Sequence, residues 1–363
     1  MNKNKLAEYK IQIPKAVVDD LYKRLDNTRF PDEDIDSLCS TDITLQQINK
    51  WIKYWRYEYD MNNISKKFHS HELYLSTIEG VDIVFTHVSS NSRNSPFLLM
   101  IHGWPDTPLS YFDMITTLSD DFNLIIPTIP GFGIPGPVQK MNTKRAAEIF
   151  LKLMDHLEIR KYFIHGVDFG ASIARTMGVL KPSVIKGIHV TMLQHANAYN
   201  INQINQKNPY ELESLKASER YINELNGYST IQSTKPQDIA YSLSDSPVGL
   251  LAWIGSQFIS WGDPNKMIES EKIIDTVMVY WVYNTIGSSA RYYRLGREDW
   301  YNEVLYNHVP TSVTVMPYDI GKPIKRFAQK TDNISHWTYA KKGGHFASYD
   351  EPKFLASEII KMK

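Results

Sequence analysis

The residues best suited to chemistry lie in Gly166-Val167-Asp168-Phe169-Gly170. An apolar stretch, KYFIHGV (161–167), runs into this pentapeptide, and ASIARTMGVL (171–180) leads out of it as a good helix former. That is the strand–turn–helix setting of a nucleophile elbow, G-x-Nuc-x-G, with a carboxylate in place of the usual hydroxyl. Its glycines have a steric reason, because so tight a turn brings backbone segments together where a Cβ would clash. Alone, the segment reads more simply as an aspartate capping a helix in a Gly-rich turn.

Two further motifs change that reading. His102-Gly103-Trp104-Pro105 ends an apolar run about 60 residues upstream, where an elbow enzyme draws one of its oxyanion donors from the backbone. The backbone N–H groups of Trp104 and Phe169 would then be the two donors. Gly343-Gly344-His345-Phe346 follows the last strand-like run, and the order nucleophile, acid, histidine is that of the α/β-hydrolases. The acid must lie between them. Residues 191–210 contain no Asp or Glu, which leaves Asp319, at the end of TSVTVMPYD (311–319), as the strand-end candidate.

The nucleophile type narrows the chemistry. A serine alkoxide attacks acyl carbons, whereas a carboxylate suits an sp³ carbon bearing a leaving oxygen or halide, and yields an alkyl ester. His345, oriented by Asp319, would activate water against that ester, and the backbone donors would hold the tetrahedral oxyanion. Residue type alone leaves epoxide hydrolysis and haloalkane dehalogenation both open.

These groups need a scaffold, and the hydropathy pattern supplies one. Leu73–Thr77 and Val81–Val88 read as strands paired around Glu79-Gly80. Apolar runs at 97–103, 122–131, 161–167 and 185–193 then alternate with helical segments, the pattern of a mostly parallel sheet covered on both faces. The alternation breaks over 200–295, which is helical, and nine tyrosines lie from Tyr199 to Tyr293 inclusive. Strand-like runs return at 311–319 and 334–346, before a closing helix, EPKFLASEIIKM. A late helical insertion suggests a cap above the C-terminal strand ends, where open α/β sheets bind ligands. Before the sheet, LQQINKWIKYWRYEYD places Trp51, Tyr54, Trp55 and Tyr59 at helical spacing, expected to pack against the rest of the protein.

Composition sets outer bounds. With 363 residues the chain suits one large domain with an insertion, or two domains. Forty basic and forty acidic residues cancel, which argues against nucleic acid or an anionic membrane as partner. A single cysteine, Cys39, excludes an intramolecular disulfide and a thiolate metal cluster. MNKNKLAEYKIQIPK lacks the apolar core of a signal peptide, and the apolar runs fall short of the ~20 residues of a membrane helix. A cytoplasmic protein without membrane anchor, metal or cofactor is the expectation.

The chain also resembles, nearly end to end, the microsomal-type epoxide hydrolases with their N-terminal domain. IQIPKAVVDDLYKRLDNTRFPD at the start, HGWP at 102, IPGFG at 129, GVDFG at 166 and GGHF at 343 match that family's motifs. SDSPVGLLAWI at 244, VYWVYNTIGSSARYY at 279 and VPTSVTVMPYD at 309 match its cap and acid strand. The resemblance implies an α/β-hydrolase fold with an N-terminal helical and meander extension and an inserted helical cap. Residues 1–72 would form the N-terminal region, 73–199 and 296–363 the two parts of the core, and 200–295 the cap. It places the nucleophile on Asp168, the acid on Asp319, the base on His345 and two ring-opening tyrosines on Tyr228 and Tyr293. The implied partners are a small apolar or aromatic epoxide and water, and a homodimer stays open. Asp106 after HGWP, where glycine is more usual, and Ile134-Pro135 depart from the pattern, both near the expected pocket mouth.

Overall fold

The computed structural model describes residues 6–37, 39, 42–92, 94–297 and 304–363. The first five residues of the charged N-terminal stretch, and 298–303 near the start of the expected second core segment, lie outside the described residues.

The described residues build one nine-stranded sheet, in the order β1-β2-β3-β5-β4-β6-β7-β8-β9. The strands are β1 (Ala7–Glu8), β2 (Glu72–Ile78), β3 (Val81–Val88), β4 (Phe97–Ile101), β5 (Asn123–Pro127), β6 (Tyr162–Gly166), β7 (Ile185–Val190), β8 (Asn307–Val315) and β9 (Asp332–Tyr339). Pairings from β1 through β3 to β5 are antiparallel, and all those from β5 to β9 are parallel. The β2–β3 hairpin closes as the sequence suggests: Glu79 (φ 50°) and Gly80 (φ 78°) both take the left-handed conformation of a primed two-residue turn, whose twist matches the strands.

Successive side chains of a strand face opposite sides, so a doubly covered sheet needs two cores. Along β4, Leu99 and Ile101 join one buried cluster while Leu98 and Met100 join the other. The first cluster takes in residues of the helices Thr143–His156 and Phe169–Leu180; the second takes in Ile115, Leu118, Leu355 and Ile359 on the opposite side.

Among the described residues, six α-helices intervene between β7 and β8: Pro209–Arg220, Gly227–Thr234, Pro236–Asp245, Pro247–Trp261, Ser270–Val282 and Ile286–Gly296. A π-helical turn, Tyr221–Leu225, follows the first of them. The helix Leu45–Tyr57 from the N-terminal region packs beneath this layer. Thr44 caps it by accepting from the Gln47 N–H, and Trp51 and Trp55, four apart, are buried. Trp51 lies so close to Gly255 that a Cβ there would come within 2.5 Å of its ring. Polar contacts tie the same regions together. Tyr59 Oη and Asn63 Nδ2 donate to Asp275 Oδ1 at 2.6 and 2.9 Å, and Lys67 Nζ bonds both Asp275 and Glu271 at 2.6 Å. Among the described residues no helix is long and apolar enough to cross a membrane.

The late strands differ from the hydropathy reading. β8 ends at Val315 and β9 at Tyr339, short of the strand-like runs that continue to 319 and 346. The surplus residues form the loops that carry Asp319 and His345, both buried.

Candidate active site

Asp168 sits between β6 and the helix Phe169–Leu180 with φ 49° and ψ −122°, a conformation side-chain-bearing residues seldom adopt. The surroundings impose it. A Cβ on Gly166 would lie 2.2 Å from the Gly170 carbonyl oxygen, and one on Gly170 would lie 1.9 Å from that of Ile101. Helix, strand and neighbouring β4 thus meet at a separation only glycine allows, and the carboxylate is pushed out above the sheet.

Both expected backbone donors address this carboxylate. The Trp104 N–H donates to Asp168 Oδ1 at 2.9 Å, and the Phe169 N–H also hydrogen-bonds it. Burial pushes the Asp168 carboxyl above the ordinary range; His345 and the two N–H groups oppose that rise.

His345 stands on the other side, its Nε2 3.8 Å from Asp168 Oδ2. Its Nδ1 lies 2.7 Å from Asp319 Oδ1, which also accepts the Ile320 N–H at 2.7 Å. Two loops are aligned to make this contact: Tyr318 bridges Gly344 in a short parallel pairing, and the Tyr318 N–H donates to the Gly343 carbonyl. The cap joins in, since the Trp261 carbonyl accepts the His345 N–H at 2.8 Å. Burial alone would lower the imidazole, but the charge and hydrogen bond of Asp319, with Asp168 and Asp106, outweigh it and raise its pKa.

Tyr228 and Tyr293 come from the helices Gly227–Thr234 and Ile286–Gly296. Tyr228 stacks on Trp104 with centroids 5.0 Å apart and planes within 2°. Tyr293 meets Trp104, Tyr228 and Phe169 edge-on, at 5.7, 5.8 and 4.8 Å. Trp261 closes the cage against Tyr228 at 4.9 Å and against the His345 ring at 5.1 Å. Burial, with the negative charge of Asp168 beside them, raises both phenols well above the ordinary value, so they remain protonated donors at neutral pH. The side chains and backbone donors expected of the site therefore lie around Asp168.

Two participants have no motif. Trp261, at the end of the helix Pro247–Trp261, would have been visible only as one more aromatic of the cap. Tyr221 Oη lies 3.3 Å from Tyr228 Oη and belongs to the π-helical turn. Asp106, expected near the pocket mouth, is buried. Its Oδ1 accepts from the Thr107 N–H at 2.8 Å and from Tyr349 Oη at 3.4 Å, and burial pushes its carboxyl up to about 7. Ile134 is buried as well. Among the described residues, no cluster of three or more His, Cys, Asp or Glu side chains is placed to hold a metal ion.

A family model described as epoxide hydrolase N terminus matches residues 6–111, and one described as alpha/beta hydrolase fold matches 96–253. Epoxide hydrolase 1 of Sus scrofa is 31% identical over 399 residues, covering 98% of this chain and 88% of that protein. The chain belongs to the epoxide hydrolase family. Among solved structures, the epoxide hydrolase of Aspergillus niger superposes with a TM-score of 0.89 at 24% identity, over 99% of this chain and 96% of that one. Juvenile hormone epoxide hydrolase from the silkworm Bombyx mori gives a TM-score of 0.87 at 24% identity, over 99% and 94%. At that identity the structural likeness speaks for the α/β-hydrolase fold, and the identification as an epoxide hydrolase family enzyme rests on the closer sequence relatives.

Proposed function

We propose that the enzyme opens a small apolar or aromatic epoxide by attack of the Asp168 carboxylate, and hydrolyses the resulting ester with water activated by His345. The supporting observation is the placement of Asp168 between two backbone donors and an Asp319-paired imidazole, beneath two buried phenols. In the first half-reaction Asp168 Oδ2 forms a bond to a ring carbon as its C–O bond breaks, and Tyr228 and Tyr293 donate to the leaving oxygen. The Asp168 oxygen already held by Trp104, Oδ1, becomes the ester carbonyl. In the second, His345 takes a proton from water, hydroxide adds to that carbonyl carbon, and the same two N–H groups hold the oxyanion. Asp319 keeps Nδ1 protonated and Nε2 free to act as base. Collapse releases the diol and restores the carboxylate.

Replacing His345 with Gln tests the scheme, because it removes the base for the second step and leaves the first intact. Intact mass should rise by one substrate, with the adduct on the peptide containing Asp168. Single turnover of the native enzyme in oxygen-18 water should label Asp168. Direct attack of water on the ring predicts neither adduct nor label.

One observation favours haloalkane cleavage as a second reading. The indole N–H groups of Trp104 and Trp261 are buried with no partner among the described residues, and such donors suit a halide. Halide release at a rate comparable to epoxide turnover would favour it.

A further inference from the structure

Tyr228 is buried among Trp104, Trp261 and Tyr293, so a phenolate formed there is largely shielded from bulk water. Its hydroxyl has one neighbour leading away from the reacting centre, Tyr221 Oη at 3.3 Å. Beyond Tyr221 lies a small, partly open cavity lined also by Gln194, Asn197, Tyr199 and Ser218. Two polar atoms of that lining, Asn197 Oδ1 and Ser218 Oγ, are buried with no hydrogen-bond partner among the described residues. Buried polar atoms are nearly always satisfied, and a polar recess with unmet partners is where water belongs. Tyr199, at the outer side, is about half exposed.

The backbone supports the same route. Tyr221 opens a π-helical turn between two α-helices, a local widening that occurs often at functional sites and that resets which side chains face inward. Tyr221 thereby bridges Tyr228, one helix onward, and the recess beside Asp319's neighbour Ile320.

We propose that Tyr221 is a proton relay between the polar recess and Tyr228. It touches no reacting atom and acts through Tyr228, as a positioning residue. The inference rests on the reading of Tyr228 as a ring-opening acid. When the ring C–O bond breaks, the leaving oxygen takes the Tyr228 proton and a phenolate remains. Tyr221 gives its proton to that phenolate and takes one from water in the recess, leaving hydroxide that the proton later released through His345 neutralises. The proton freed when water adds to the ester leaves through His345 to solvent, so the sum is epoxide plus water to diol.

Tyr221→Phe keeps the ring and removes the hydroxyl. With styrene oxide as probe, the first turnover should form ester at close to the native rate, because Tyr228 begins protonated. Steady-state turnover should fall about ten- to a hundredfold, less than the ~10²–10⁴-fold typical of losing a general acid. The solvent deuterium isotope effect on that turnover should rise, and the rate should become dependent on imidazole buffer concentration. A change in packing alone would move neither of the last two. Steady-state rate, isotope effect and buffer dependence all matching the native enzyme would overturn the relay. Should Tyr221→Phe fail to fold, Ser218→Ala tests the same path, with a smaller increase of the isotope effect expected and no change overturning it. Tyr228→Phe separates the two levels. If it slows ester formation while Tyr221→Phe behaves as native, only the relay is wrong; if it leaves ester formation untouched, the acid assignment beneath it is wrong.

Discussion

Asp168, Asp319 and His345 each sit a few residues beyond the end of a parallel strand, whereas Tyr228 and Tyr293 sit inside helices inserted above the sheet. The first group is placed by backbone. Asp168 occupies a turn that only glycines on either side allow, and the loops of Asp319 and His345 are joined by main-chain pairing. The second group is placed by rings, through stacked and edge-on contacts with Trp104, Phe169 and Trp261. A backbone placement fails all at once when a methyl group intrudes. A ring placement keeps its packing when a single hydroxyl is deleted. In the core half, therefore, activity and fold are inseparable; in the cap half they come apart.

The largest expected effect tests that separation. Tyr228→Phe with Tyr293→Phe should lower ester formation by ~10²–10⁴-fold, and each single change by less, while every ring contact is retained. Rapid-quench mass measurement gives the rate and thermal unfolding gives the fold. A large fall in Tm in the double variant would mean that the phenols hold the cap together as well, and the contrast would fail.

Gly170→Ala probes the other half. A Cβ 1.9 Å from the Ile101 carbonyl oxygen must displace β4 or the elbow. A shift near 1 Å at a reacting group costs about 10²-fold in rate, and overpacking costs about 1–3 kcal/mol, so turnover and Tm should fall together. Native turnover in this variant would show that the elbow tolerates more than its geometry allows.

Asp106 belongs to both halves: its carboxyl lies in the core loop after Pro105, and Tyr280 of the cap donates to its carbonyl oxygen at 3.3 Å. Its carboxyl is raised from 3.8 to about 7, chiefly by burial. A raised acid stabilises the fold below its unfolded value and loses that contribution as pH climbs through the folded one. Asp106→Asn removes the loss. Relative to the native enzyme, its Tm should therefore rise between about pH 5 and about pH 8, by on the order of a few degrees. An unchanged difference across that range would mean Asp106 is ionised throughout.

What could be read from the sequence follows the same division. GVDFG, HGWP and GGHF were legible because a backbone forced into close contact leaves glycines at fixed positions, and those survive as a linear pattern. Asp319 was reachable by elimination, since no other acid follows a late strand. Among nine tyrosines, spacing could not select Tyr228 and Tyr293; their place depends on how helices distant in sequence assemble, and only the family resemblance pointed to them. Tyr221 was missed for a more local reason. Helical periodicity assumes a constant turn, and the π-helical segment breaks it where that side chain is aimed. Asp106 reads from sequence as a residue near the pocket mouth, because nothing in an aspartate after proline signals that it will be buried.

The ties from the N-terminal region to the helix Ser270–Val282 bear on what the enzyme admits. Tyr59, Asn63 and Lys67 anchor Asp275 from one side, and Lys272 of the same helix reaches Asp113 of the core at 2.6 Å from the other. Swinging that layer outward would sever charged contacts at a buried carboxylate, a costly step with nothing to replace them. The walls above Asp168 are then held at a set spacing. Molecules would then be sorted by cross-section before any chemistry discriminates among them, and widening the range of epoxides accepted calls either for smaller side chains along the walls or for cutting the ties that hold the walls in place.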